Sequence, residues 1–155
     1  MRISDPFEKA KAYAFLLLKY RQRSRRELAV RMARKKFDPQ LIERTLSFLE
    51  GKGFIDDALF ARAWAGERLK KNLGIRRLKN ELALKGIAKA VIERELGAVT
   101  RSYDETAVVN ALVEEKLLKL KSLDPQKARG RIYGYLIRRG FSPDTIIDAL
   151  NQYSR

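Results

Sequence analysis

The sequence contains no cysteine and no histidine. Disulfides, thiol nucleophiles, imidazole general bases and nearly all zinc sites are therefore excluded, because each depends on one of these two side chains. Any catalysis would have to rest on carboxylates, lysines or hydroxyls. We therefore expect a protein that is not an enzyme and that binds no metal and no cofactor.

Proline and glycine are also scarce, with four prolines and nine glycines among 155 residues. Long helices are therefore possible, because these two residues are the strongest helix breakers. No apolar run approaches the roughly 20 residues that a membrane-spanning helix needs. The most apolar stretch, AYAFLLL at 12–18, lies between charged residues and lacks the pattern of a secretory signal. We expect a cytoplasmic protein.

Positive charge is abundant. Thirty-four lysines and arginines against 19 acidic residues give a net charge of +15 at neutral pH. A small domain usually needs a net charge of only about 2 to 8 for solubility. The excess favours a polyanionic partner, either nucleic acid or the acidic surface of a protein assembly.

Five columns of apolar residues recur three times, which indicates an internal repeat. The second copy follows the first by 50 positions, and the third follows the second by 54. Within each copy, the first two columns are four residues apart and so are the last two, which is the spacing of neighbours on one face of a helix. The equivalent residues are Leu28, Leu78 and Ile132; Met32, Leu82 and Leu136; Phe37, Ile87 and Phe141; Ile42, Ile92 and Ile146; and Leu46, Leu96 and Leu150.

Helix-start signals divide each copy into three helices. Ser24 has the pattern of an N-cap, with Glu27 three residues later as its capping-box partner. Asp38–Pro39 places a capping side chain before a proline at the first helical position, and Asp124–Pro125 and Ser142–Pro143 repeat that pattern.

A unit of about 50 residues lies near the lower size limit for independent folding, but stacked copies can bury each other's flanks. The sequence therefore predicts an all-α fold of three tandem three-helix repeats, nine helices in total, in an elongated, curved array. The repeats are expected at residues 1–55, 56–100 and 101–155.

Four stretches together resemble the RecX family of bacterial recombinase regulators, and the resemblance extends over essentially the whole chain. They are SRRELAVRMARKKF at 24–37, GFIDDALFARAW at 53–64, GIRRLKNELALKGI at 74–87 and YLIRRGFSPDTI at 135–146. The resemblance implies three tandem three-helix repeats. It also implies binding to the RecA filament on single-stranded DNA, with restraint of ATP hydrolysis, strand exchange and the co-protease activity that triggers the SOS response.

Two features that could suggest chemistry have simpler structural interpretations. The adjacent carboxylates Asp56 and Asp57 begin a helix, where they are expected to cap free N–H groups and complement the helix dipole rather than bind a metal. Trp64 could stack on a nucleobase, but its near-helical spacing from Phe60 and Leu69 favours a place in the core of the second repeat.

Basic side chains are the remaining candidates for a binding site. If Leu28 and Met32 face the core, Arg26, Arg31 and Arg34 lie on the opposite side of their helix. The guanidinium fork pairs with phosphates and carboxylates alike. The predicted basic face comprises Arg25, Arg26, Arg31, Arg34, Lys35, Arg76, Arg77, Lys79, Arg131, Arg138 and Arg139.

Two functions of different classes fit these features. One is a monomeric regulator that binds a RecA filament. The other is a helix-turn-helix-like protein that binds single- or double-stranded DNA without a recombinase, through phosphate contacts more than base contacts.

Overall fold

A computed structural model describes residues 5–153 of the chain. In this range the chain forms nine α-helices and one short 3-10 helix and contains no strand. The predicted all-α class and helix number are confirmed for these residues. The α-helices are α1 (Pro6–Tyr20), α2 (Arg25–Arg34), α3 (Pro39–Gly51), α4 (Asp57–Leu69), α5 (Ile75–Leu84), α6 (Lys89–Val99), α7 (Glu105–Lys119), α8 (Pro125–Arg138) and α9 (Pro143–Tyr153), and the 3-10 helix is Thr100–Ser102.

The helix starts follow the local sequence signals. The Ser24 side chain accepts a hydrogen bond from the N–H of Glu27, and the Glu27 side chain accepts one from the N–H of Ser24, which completes the predicted capping box. Asp38 and Asp124 likewise cap α3 and α8. These caps satisfy N–H groups that have no partner within the helix.

The repeated apolar columns are core positions, as predicted. Every residue of the five columns is buried except Phe37, which is half-buried. Phe37 instead packs against the ring of Tyr13, with 5.6 Å between the centroids.

Two compact units make up the described chain. The first takes in the residues up to Ala63 together with Leu82–Glu95, and the second takes in Trp64–Glu81 and the residues from Leu96 onward. In the first unit, α1, α2 and α3 pack around one apolar cluster, and in the second, α7, α8 and α9 pack around another. The repeat boundaries after residues 55 and 100 stay a prediction.

A left-handed residue occupies the same position after α2, α5 and α8. These residues are Lys36, Gly86 and Gly140, with φ angles of 72°, 82° and 94°. A Cβ atom on Gly140 would lie 2.2 Å from Cβ of Arg77, and one on Gly86 would lie 2.5 Å from Cβ of Arg26. Glycine at these two turns therefore permits both the backbone conformation and the close approach of another helix.

Candidate basic interface

The start of α2 meets the turn that follows α5, and we call this contact the first junction. The buried Ser24 hydroxyl donates a hydrogen bond to the carbonyl oxygen of Lys85, with an O···O distance of 2.6 Å. The Lys85 ammonium lies 3.4 Å from a carboxylate oxygen of Glu27. One side chain, Ser24, thus caps α2 and holds it to the next repeat.

Asp57 adds a second contact at the start of α2. Its Oδ1 accepts a hydrogen bond of 2.9 Å from the N–H of Arg25, and burial raises the pKa of the Asp57 carboxyl. Asp56 accepts from the N–H groups of Ala58 and Leu59. The capping prediction is confirmed for Asp56 on its own helix, α4, whereas Asp57 caps α2. Among residues 5–153, no cluster of acidic side chains has the geometry of a metal site.

A pocket of about 380 Å³ opens beside the first junction. We call it the arginine pocket, and its cationic lining residues are Arg21, Arg23, Arg26, Arg31, Arg34 and Lys85. The remaining lining residues are Glu27, Val30 and Leu84. Six cations of the described chain therefore surround one carboxylate.

The start of α5 meets the turn that follows α8, and we call this contact the second junction. Here the N–H of Gly74 donates to the carbonyl oxygen of Arg139 over 2.8 Å, and the N–H of Arg76 donates to that of Gly140 over 3.2 Å. By the repeat offsets, Gly74 is equivalent to Ser24 and Arg139 to Lys85. Carbonyl oxygens at equivalent positions are therefore hydrogen-bonded at both junctions. The donor is the Ser24 side chain at the first junction and the backbone N–H of Gly74 at the second.

A second pocket, of about 440 Å³, lies beside the second junction and includes Arg76, Asn80 and Arg138 in its lining. The carboxylate of Glu81 bonds the indole N–H of Trp64 over 3.0 Å and the guanidinium groups of Arg68 and Arg77 over 2.9 and 3.2 Å. Trp64 is half-buried. It belongs to this hydrogen-bonded cluster, which its sequence spacing did not reveal.

Eight of the predicted basic residues are exposed and form no ion pair with any carboxylate in the described part of the chain. Arg26, Arg31 and Arg34 lie opposite the buried Leu28 and Met32, as predicted. The eight residues are Arg26, Arg31, Arg34, Lys35, Arg76, Lys79, Arg131 and Arg138.

The other three predicted residues are bound within the protein. Arg25 pairs with Glu43 and Glu50, and the bond to Glu43 is the main reason that its pKa is raised. Arg77 pairs with Glu81. Arg139 donates to the backbone carbonyl oxygens of Asn72 and Lys71. Their guanidinium groups stabilise the fold and are less available to a partner.

Arg131 lies at a separate pocket of about 290 Å³, with Lys116, Lys119 and Tyr135. The Lys116 ammonium lies 4.2 Å from the centroid of the Tyr135 ring. A cation at this distance from an aromatic ring is stabilised by the negative face of the ring. Tyr135 is thereby covered, and it presents less of its face to a nucleobase.

The sequence prediction did not include Lys85 and Leu84, although both line the arginine pocket. They lie one repeat further along the chain, and only the fold brings them to α2. Arg21 and Arg23 were also absent from the predicted basic face. They belong to the basic run RQRSRR at 21–26, which could have indicated them.

Comparison with known proteins gives the family. The models of the first, second and third three-helix domains of RecX match residues 10–49, 56–96 and 103–150. A regulatory protein RecX of Chlorobium phaeobacteroides is 36% identical over 149 residues, which cover 96% of this chain and 95% of the relative. One of Streptomyces coelicolor is 34% identical over 150 residues, which cover 96% of this chain and 79% of the relative.

A solved structure has the same fold. The crystal structure of RecX from Lactobacillus salivarius superimposes with a TM-score of 0.84 at 20% identity, over 98% of this chain and 99% of that one. None of the helices in residues 5–153 is both long and apolar enough to cross a membrane. From the three domain matches and the two relatives above 30% identity, the chain belongs to the RecX family, whose matched relatives are named regulatory proteins.

Proposed function

We propose that this chain is a cytoplasmic, monomeric regulator that binds the RecA filament on single-stranded DNA and inhibits ATP hydrolysis, strand exchange and co-protease activity. Membership of the RecX family along nearly the whole chain carries the proposal. The regulator acts without catalysis of its own, by binding one state of the filament more tightly than another.

The charge distribution supports an anionic partner. The chain carries a net charge of +15. Arg26, Arg76 and Arg138 are exposed and form no ion pair within residues 5–153. Exposed guanidinium groups of this kind can pair with the carboxylates of a filament and with the phosphates of the DNA that it encloses.

A DNA-binding protein that acts without a recombinase is the second candidate. The arginine pocket is the observation that favours it, because cations without paired carboxylates attract phosphate. Among the described residues, Asn80 is the only amide side chain lining the second pocket, so contacts at that pocket would position the protein on a backbone more than they would read bases.

The rate of ATP hydrolysis by RecA on single-stranded DNA separates the two candidates. This chain is titrated in at physiological salt with DNA in excess. Inhibition at amounts of protein far too small to cover the DNA is expected, because each bound molecule alters a filament. Inhibition only after the DNA is covered would indicate competition for phosphate, and the second candidate would replace the first.

Single variants then test the basic face. Arg26→Ala, Arg76→Ala and Arg138→Ala are each expected to require more protein for half-inhibition, by about tenfold for the removal of a charge-assisted hydrogen bond. Arg101→Ala is the matched control, because Arg101 is also exposed and without an ion pair in the described chain but lies outside both pockets. Equal effects of all four variants would contradict a defined face.

A further inference from the structure

The pocket of about 290 Å³ beside Arg131 has cations in its lining and no carboxylate among its described lining residues. Its walls come from α7 and α8, and we call it the α7–α8 pocket. Lys119, one of its three cations, is already paired with Glu115 at 3.0 Å. The other two, Lys116 and Arg131, form no ion pair within the described chain. The pocket therefore has two cations available to an external anion.

The rest of the lining of the α7–α8 pocket is apolar or aromatic. It comprises Leu120, Ile132 and the ring of Tyr135. Organic ligand sites commonly combine apolar walls with a few charged groups that fix the orientation of the ligand. A hydrated inorganic anion would leave these walls uncovered, because it has no apolar part. The lining therefore suits an anion that is attached to an apolar group.

The second repeat has a corresponding place between α4 and α5. The first helices of the two repeats align through their buried pairs, Ala61 with Ala65 in α4 and Val109 with Val113 in α7. On this alignment Arg68 corresponds to Lys116, because each lies three residues after its buried pair.

A carboxylate occupies this place in the second repeat. By the repeat offset, Arg77 corresponds to Arg131 and Glu81 corresponds to Tyr135. The Glu81 carboxylate lies 2.9 Å from the Arg68 guanidinium and 3.2 Å from that of Arg77. The third repeat keeps a cation at both positions but has a phenol in place of the carboxylate. Both of its cations therefore lack the anion that their counterparts bind.

A large apolar side chain accompanies the carboxylate in the second repeat. The indole N–H of Trp64 donates to Glu81 over 3.0 Å, and the guanidinium carbon of Arg68 lies 5.6 Å from the centroid of the Trp64 ring. On the helix alignment, the smaller Leu112 stands at this position in the third repeat. An acid and an apolar side chain thus lie next to each other on the cations of the second repeat.

We propose that the α7–α8 pocket binds an acidic segment of a partner protein. A glutamate or aspartate of the segment pairs with Lys116 and Arg131, and a neighbouring apolar side chain packs against Leu120 and Tyr135. Opposite charges and hydrogen bonds from charged donors make such pairs strong. A carboxylate is favoured over a phosphate because the second repeat holds a carboxylate at the corresponding place.

This binding needs neither a filament nor a nucleic acid, so it goes beyond the proposed function. It is tested on the purified chain alone, where it can fail while the proposed function stands. The reverse also holds, because inhibition of ATP hydrolysis by RecA is a separate measurement.

Binding is measured by NMR on the isotope-labelled full chain, because chemical shifts detect weak complexes. The probe is a peptide with one leucine between two glutamates and only glycine and serine elsewhere. The amide signals of Lys116, Leu120, Arg131 and Tyr135 are expected to shift most. Absence of shifts, or shifts as large at the arginine pocket, would overturn the proposal.

Two altered peptides separate the contribution of the carboxylates from that of the apolar side chain. Glutamine in place of both glutamates is expected to weaken binding at least about tenfold, through the loss of charge-assisted hydrogen bonds. Serine in place of the leucine is expected to weaken it about fivefold, through the loss of apolar contact. Equal affinities of the three peptides would overturn the proposal.

The double variant Lys116→Ala/Arg131→Ala tests the two cations. We expect it to lower the affinity for the glutamate peptide by at least about tenfold. The control Lys89→Ala/Arg101→Ala removes the same charge from exposed residues outside the pocket. Equal losses in the two double variants would show attraction to net charge and overturn the site.

Tyr135→Glu introduces into the pocket the carboxylate that the second repeat has. It is expected to abolish binding of the peptide while the helical circular dichroism signal is unchanged. Arg131→Glu makes the same test at an exposed position, where a change of side chain does not disturb the core, and it also decides the matter if Tyr135→Glu does not fold. Binding of the peptide to a folded variant with the affinity of the parent chain would contradict the proposal.

Phosphate is the remaining alternative at this pocket, and a short oligothymidylate tests it. Both double variants remove two positive charges, so they are expected to lose the same affinity for this strand. A larger loss for Lys116→Ala/Arg131→Ala than for Lys89→Ala/Arg101→Ala, with the strand as with the peptide, would assign the pocket to phosphate and overturn the proposal.

Discussion

At the two junctions, backbone carbonyl oxygens at equivalent positions of the repeat accept hydrogen bonds from different chemical groups. Each holds a carbonyl oxygen in the turn after the second helix of a repeat. At the first junction the Ser24 hydroxyl donates to this oxygen, and at the second the N–H of Gly74 donates to its equivalent. The N–H groups at a helix start lack partners within the helix, so they are ready donors for a neighbouring turn. The geometry of the contact can therefore persist while its side chains change.

The electrostatics of the junctions diverge much further than their geometry. At the second junction, the Glu81 carboxylate accepts a hydrogen bond from the indole N–H of Trp64 and forms ion pairs with Arg68 and Arg77. At the first junction the equivalent position is Arg31, which adds to the positive charge. Glu27 and Arg31 at the first junction are thus exchanged for Arg77 and Glu81 at the second, so each junction has one carboxylate. The additional positive charge of the arginine pocket comes from its other cations, Arg21, Arg23, Arg34 and Lys85.

The largest expected effect is at the glycine turn of the second junction. Gly140→Ala would place a Cβ atom 2.5 Å from the backbone nitrogen of Arg77, in a residue whose φ is +94°. We expect the free energy of unfolding to fall by about 2–5 kcal/mol, from left-handed strain and overpacking. Urea denaturation followed by circular dichroism measures it.

Gly97→Ala is the control for this substitution. Gly97 lies in α6 with open space around its Cβ position, and alanine there is expected to raise the free energy of unfolding by about 0.5–1 kcal/mol. A similar effect of both substitutions would show that the turn at Gly140 is not a tight contact.

Ser24→Ala tests the first junction. It removes the cap on α2 and leaves the carbonyl oxygen of Lys85 without its hydroxyl donor. We expect a loss of about 1–3 kcal/mol, a cap and a hydrogen bond together, in the same denaturation experiment. Asp38→Ala removes only an exposed cap and should cost about 0.5–2 kcal/mol. If Ser24→Ala lowered the free energy of unfolding by less than Asp38→Ala does, the hydrogen bond from Ser24 to Lys85 would contribute nothing to stability.

The smallest expected effects are on pH dependence, and they have opposite signs in the two units. Burial tends to raise the pKa of Glu27, but the bonds from Arg21 and Ser24 and the charge of Lys85 outweigh it and lower the pKa. A lowered pKa stabilises the fold above the unfolded value of about 4.3. This contribution is lost as the pH falls through the lower folded value.

Glu105, in the second unit, behaves oppositely. Burial raises its pKa, and the N–H of Ser142 offsets this only in part. Its Oε1 is buried without a hydrogen-bond partner in the described chain. The ionised form therefore destabilises the fold at neutral pH, and stability is regained as the pH falls through the raised pKa towards about 4.3.

Unfolding free energies of Glu27→Gln and Glu105→Gln, measured from neutral pH to acid, test this contrast. Glu27→Gln is expected to be less stable than the parent chain at neutral pH, with a difference that shrinks in acid. Glu105→Gln is expected to be more stable at neutral pH, with an advantage that disappears as the pH falls. Differences of one sign for both variants would contradict the assignment.

Some of the basic face could be predicted from the sequence, and some could not. The exposure of Arg26, Arg31 and Arg34 followed from the buried spacing of Leu28 and Met32, because one helix determines both faces. The partners of Arg25 and Arg139 did not follow, because these side chains bond groups far away in sequence. Arg77 and Glu81 are four residues apart on α5, a spacing at which opposite charges pair, so this ion pair was readable from the sequence although the prediction did not use it.

The turns after α2, α5 and α8 also combine a feature that the sequence shows with one that only the structure explains. The left-handed positions after α2, α5 and α8 recur at the repeat offsets, but lysine stands at the first and glycine at the other two. Sequence alone does not explain the difference. In the structure, α2 and α5 approach Gly86 and Gly140 closely, so a side chain is excluded there. Lys36 is exposed. A side chain at that turn meets no comparable obstacle.

By itself, the sequence determined the nine helices of the described chain, the local caps at Ser24, Asp38 and Asp124 and the columns that form the core. These features depend on residues within a few positions of one another, where hydrogen bonding and helical period act directly. Tertiary structure alone decided that Lys85 and Leu84 join α2 to form the arginine pocket, and that Arg25 and Arg139 are bound to groups far away in sequence. Charges act through space, and the distance between two side chains from different repeats exists only once the chain has folded.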